Sequence, residues 1–80
     1  MDELALIESR LQAVNTEITA DAERAEHQRD AISKLERDGQ NSEAARERLA
    51  AIEASLTSHL AERLGLLVQR SKALRKSSLL

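Results

Sequence analysis

The sequence contains no Phe, Trp or Tyr, no Cys and no Pro, and only two Gly in eighty residues. Each absence excludes something. Without aromatic rings nothing can fill a thick globular core or stack on nucleotide bases, so Leu, Ile, Val and Ala must do the packing in a thin seam. Without cysteine there is neither a disulfide framework nor thiolate chemistry, which fits a reducing compartment. No stretch approaches the roughly eighteen consecutive apolar residues of a membrane span. The opening Met1-Asp2-Glu3 lacks the basic residues and the apolar run of a secretory signal. The expectation is a cytoplasmic protein with no membrane span.

What is present is helical in character. Charged side chains make up 32% of the chain, and the absence of proline leaves helices uninterrupted. Apolar residues recur at three-and-four spacing in two runs, Leu4-Ile7-Leu11-Val14-Ile18 and Leu49-Ile52-Leu56-Leu60-Leu64-Leu67, on either side of Asp38-Gly39. This predicts an all-α fold, an antiparallel two-helix hairpin resembling a coiled coil: a helix over about 2–38, a turn at 39–41 and a helix over about 42–77. Asp2 is placed to cap the first helix and Asn41 or Ser42 the second. A connection this short forces antiparallel neighbours.

Folding the halves back on Gly39 pairs positions whose numbers total about eighty-one: Ile32 with Leu49, Gln28 with Ile52, Ala25 with Leu56, Val14 with Leu67, Ile7 with Leu74. From Leu56 to Leu67 the apolar steps run four, four, three, an eleven-residue interval that predicts a local relaxation of the supercoil. Gly65 falls inside this interval, where it either admits the close approach of another helix or is tolerated at some cost in helix propensity.

Two helices alone bury too little to offset the entropy of ordering the whole chain, and a second hairpin would complete the core. The expected state is therefore a homodimer forming a four-helix bundle. Its interface is read from the wide apolar arc at the open end: Leu4, Ile7, Leu11, Leu60, Leu64, Leu67 and Val68. Another helical protein could cover the same surface.

The candidate polar constellation is a layer at mid-rod. His59 and Arg63 lie one turn apart, and the register sets them opposite Glu17 and Asp21. Buried polar groups of this kind fix register in some coiled coils. A catalytic role would need a cleft with a nucleophile or a metal, and neither is evident, so no enzyme, no cofactor and no metal is expected. His27 does not complete the Glu-x-x-His pattern of di-iron bundles, because positions 24 and 56 hold Arg24 and Leu56.

Charge is divided unevenly along the chain. Residues 1–40 carry ten acids and five bases, residues 41–80 four acids and seven bases. Arg70, Lys72, Arg75 and Lys76 form a basic end that could bind anions, and an accessory nucleic-acid-binding protein is the alternative function. Against it stand the overall net charge of −2, the missing aromatic platform and the acidic start of the first helix, which the hairpin sets beside this cluster. With Leu74, Leu79 and Leu80 the same segment could also meet an anionic membrane surface.

The segment Gln28-Arg29-x-x-Ile32-x-x-Leu35-Glu36-Arg37-Asp38-Gly39, followed by Ala45, Leu49, Glu53, Leu56, His59 and Arg63, resembles short helical-hairpin proteins of rhizobia and related alphaproteobacteria. The similarity spans roughly positions 28 to 63. It implies a bacterial cytoplasmic origin and carries over no functional residue, since no activity is attached to that group. The leading functional reading is a self-associating, non-enzymatic interaction, scaffold or regulatory module.

Overall fold

The computed structural model describes residues 2–78, so Leu79 and Leu80, named above for a membrane contact, lie outside the described residues. Two helices, α1 (Glu3–Arg37) and α2 (Glu43–Ser78), form an antiparallel hairpin, with no strand among the described residues. Every tertiary contact is between these two elements. The rod measures 65 × 15 × 14 Å. Its radius of gyration is 18.3 Å, against about 12 Å for a compact globule of this length.

Local chemistry sets the ends of α1. The Asp2 carboxylate accepts from the Ala5 backbone N–H at 2.7 Å, satisfying one of the free donors of the first turn. At the other end Gly39 adopts φ 70°, the left-handed conformation that glycine enters without a Cβ penalty. The Gln40 N–H donates to the Leu35 carbonyl at 2.8 Å and the Gly39 N–H to that of Glu36 at 3.2 Å. These two bonds make a Schellman termination. Asn41 accepts from the Glu43 N–H at 2.9 Å as α2 begins. Across the turn Glu36 pairs with Arg46 and also accepts from the Ser42 hydroxyl.

The inward face of α1 is Leu4, Ile7, Leu11, Val14, Ile18, Asp21, Ala25, Gln28, Ile32 and Leu35, an unbroken alternation of three and four residues. Ile7, Leu11, Val14, Leu66 and Ala73 form the buried cluster, with Leu4 and Ile18 against it. On α2 the inward face runs Ala45, Leu49, Ile52, Leu56, His59, Arg63, Leu66, Arg70 and Ala73. That is also a strict heptad, so the eleven-residue interval expected from Leu56 to Leu67 does not occur.

Beyond Leu56 the seam therefore departs from the pairing expected of the sequence. Leu66 and Ala73 are buried, whereas Leu67 and Leu74 are 38% and 48% exposed. The cause is register. Gln28 donates its side-chain N–H to the Ala45 carbonyl at 3.0 Å and Arg29 meets Glu53 at 3.3 Å, fixing α2 rotationally next to the turn. A continuous straight heptad from that anchor brings His59, Leu66 and Ala73 inward, and changing face would require a break in the helix. Gly65 faces open space, with nothing within 4 Å of a Cβ built on it, so within the chain it serves no close approach.

Candidate functional site

The anchored heptad places His59 on the inward face of α2, half-buried, over Asp21 of α1, which is only 2% exposed. His59 Nδ1 lies 2.8 Å from Asp21 Oδ2, and His59 Nε2 lies 2.8 Å from Glu17 Oε2. The Ser55 hydroxyl donates to the same Asp21 oxygen at 2.9 Å. Arg24, one turn along α1, reaches the other oxygen at 3.3 Å. Asp21 thus gathers three partners from two helices, and among the described residues no buried side-chain nitrogen or oxygen lacks a hydrogen bond.

The electrostatics follow from these contacts. The hydrogen bond to Asp21 raises the His59 pKa above its ordinary 6.5, against the opposing effect of burial and with help from the charges of Glu17, Asp21 and Glu62. The His59 hydrogen bond holds the Asp21 carboxyl below its ordinary 3.8; burial works the other way, while Ser55 and the charges of His59 and Arg24 add to the lowering. At the turn, Arg46 lowers the Glu36 pKa chiefly through its hydrogen bond, with burial opposing and Ser42 adding to the effect. As an imidazolium, His59 offers two N–H donors, and each has a carboxylate in front of it. As a neutral ring, it keeps one proton and turns one lone pair toward a carboxylate.

The residues read from the sequence as a polar layer divide into two groups. Glu17, Asp21 and His59 come together. Arg63 does not join them: it is half-buried and lines an open hollow with Glu8, Leu67 and Arg70. Ser55, Arg24 and Glu62 take part instead. A sequence signal existed for two of these, since Arg24 stands three residues after Asp21 and Glu62 three after His59, the spacing of neighbours on a helix surface. Ser55 gives no such signal.

The expected interface residues also separate. Ile7 and Leu11 are buried in the intrachain seam with Leu4 packed beside them. Leu60, Leu64, Leu67 and Val68 face outward, together with Leu74. Of the basic end, Arg70 faces Glu8 at 3.5 Å. Lys76 borders a hollow it shares with Asp2 and Glu3, and Lys72 and Arg75 are exposed. No helix among the described residues is long and apolar enough to cross a membrane. No protein-family model, curated protein or solved structure matches the chain.

Proposed function

We propose that the protein is a non-enzymatic, self-associating helical hairpin, in which the outer face of α2 joins a second copy to build a four-helix bundle that serves as an interaction or scaffold module. One observation carries this reading: Leu60, Leu64, Leu67, Val68 and Leu74 are 38–64% exposed on one side of a single helix. Apolar side chains scattered singly over a surface need no explanation, but the neighbours Leu60, Leu64, Leu67 and Val68 do, with Leu74 beyond Ser71. Leu60, Leu64, Leu67 and Leu74 repeat at steps of four, three and seven, the spacing of a second coiled-coil seam beside the occupied one.

The row suits its own copy. Leu60 and Leu74 stand seven residues on either side of Leu67, so a two-fold axis through Leu67 sets Leu60 of one chain against Leu74 of the other. Arg70, which borders the row, already has Glu8 as a counterion, so covering the flank does not strand that cation. The polar layer contributes register rather than turnover in this reading, because His59 ties α2 to Asp21 and Glu17 of α1. The resemblance to rhizobial hairpin proteins adds a bacterial cytoplasmic setting to the proposal.

Light scattering at micromolar concentration tests it. Wild type is expected at twice the chain mass of 8.9 kDa, and the double variant Leu64→Ser, Leu67→Ser at the monomer mass with its helicity retained. A wild-type monomer of full helicity, or a variant that keeps the dimer mass, overturns the reading.

A further inference from the structure

We propose that Glu17, His59 and Glu62 bind one divalent ion of the zinc class, with Asp21 as the group that orients the histidine. One ring nitrogen and one carboxylate oxygen from each glutamate lie within 4.8 Å of one another. In a tetrahedral zinc site, bonds of about 2.0–2.2 Å place neighbouring ligand atoms about 3.4 Å apart. Glu17 and Glu62 are both exposed and Glu17 already meets Nε2 at 2.8 Å, so modest rotations of the two side chains bring the three atoms to that spacing. Water completes the coordination.

Two features set this cluster apart from a chance gathering of surface acids. The first is the second partner of the imidazole: Nδ1 is held at 2.8 Å by the buried Asp21, which aims Nε2 at Glu17. A histidine whose far nitrogen is fixed by a carboxylate is the usual arrangement behind a metal-binding imidazole, and the carboxylate both selects the tautomer and raises ligand basicity. The second is the charge pattern of the hairpin's flanks. Elsewhere the pairs across the two helices are of opposite sign, Arg29 with Glu53, Arg46 with Glu36 and Arg70 with Glu8. Here one histidine meets Glu17 and Asp21 across the seam and Glu62 joins from its own helix, an excess of carboxylate that a divalent ion answers.

A divalent ion between Nε2 and the two glutamates answers their charge while Nδ1 stays on Asp21. The mixed nitrogen and oxygen donors favour zinc over magnesium, which prefers oxygen ligands alone and dehydrates reluctantly.

Isothermal titration with zinc chloride at pH 8, on the full chain, reads the site. Wild type is expected to bind one ion per chain and to gain thermal stability with it. Glu17→Gln and Glu62→Gln, exposed changes that leave the seam intact, are each expected to weaken binding at least tenfold. Asp21→Asn, which holds the ring less basic, is expected to lose about ten- to a hundredfold. His27→Gln and Glu23→Gln are expected to bind as wild type does, and magnesium not to compete. No zinc binding by folded wild type, equal binding by the Glu17→Gln, Glu62→Gln double variant, or loss of binding in His27→Gln overturns the proposal.

Discussion

At the scale of single residues, the His59–Asp21 contact makes stability depend on pH in opposite senses at its two ends. His59 has a raised folded pKa, so its contribution is complete below its ordinary 6.5 and is lost as pH climbs through the raised value. Asp21 has a lowered folded pKa, so its contribution is complete above 3.8 and is lost as pH falls through the lowered value. The urea midpoint of metal-free protein is therefore expected to be highest between about pH 4 and 6.5 and to decline on the alkaline side of neutrality. In His59→Gln that alkaline decline is expected to flatten, and its persistence would assign it to another group. Asp21→Leu alone is expected to lower the thermal midpoint, since it removes the acceptor of His59, Ser55 and Arg24. Replacing Asp21 and His59 together by Leu is expected to recover the loss, because a matched apolar pair leaves no buried charge unanswered. The Asp21–His59 half of this site was legible from opposite-charge placement in an antiparallel register. The position of Arg63 was not, because a side chain that long can turn to either flank of its helix, and here it lines a hollow with Glu8 and Leu67.

At the scale of the elements, glycine has two distinct roles. Gly39 sits at φ 70°, so Gly39→Ala is expected to cost about 1–2 kcal/mol in chemical denaturation, the strain of a left-handed L-residue. Gly65 lies within α2 with open space around it, so Gly65→Ala is expected to stabilise by about 0.8–1 kcal/mol from helix propensity alone. The turn and the whole of α1 could be read from the sequence because its apolar residues coincide with the buried face. The second half of α2 could not. Its most apolar face, Leu60, Leu64 and Leu67, competes with a less apolar one, His59, Arg63, Leu66, Arg70 and Ala73. Hydrophobicity favours the first, whereas heptad continuity from the anchored turn selects the second and pairs His59 with Asp21 and Arg70 with Glu8. Neighbouring leucines separate the two faces experimentally. Leu66, 5% exposed, is expected on truncation to Ala to lose about 2 kcal/mol or more at every protein concentration. Leu64, 64% exposed, is expected to lose stability only at concentrations where the chain is associated. A concentration-independent loss at Leu64 would place that residue inside the hairpin seam.

At the scale of the whole molecule, the opposite charges of the two helices meet at the open end of the rod, whereas the exposed leucines of α2 are left outside the seam. The acidic start of α1 runs beside the basic end of α2, with Glu8 against Arg70 and Lys76 near Asp2 and Glu3, which weakens the case for this end as a phosphate-binding patch. On α2 the exposed leucines occupy only the half away from the turn, so association through them would cover the open end of the rod and leave the Gly39 end free for other contacts. A two-fold contact has a geometric signature that can be read covalently. On a two-fold axis, residue 67 of one copy meets residue 67 of the other, and a disulfide forms only when the two Cα atoms lie within about 4.4–6.8 Å. The chain has no cysteine of its own, so single-cysteine variants report one position each without background. Leu67→Cys is expected to crosslink rapidly to the dimer on mild oxidation, and Leu6→Cys, 43% exposed on α1, only at the rate of random collision. Equal rates at the two positions would show that the copies do not meet about Leu67. Rapid crosslinking at neither, with dimer mass persisting in solution, would place the interface on another face of the rod.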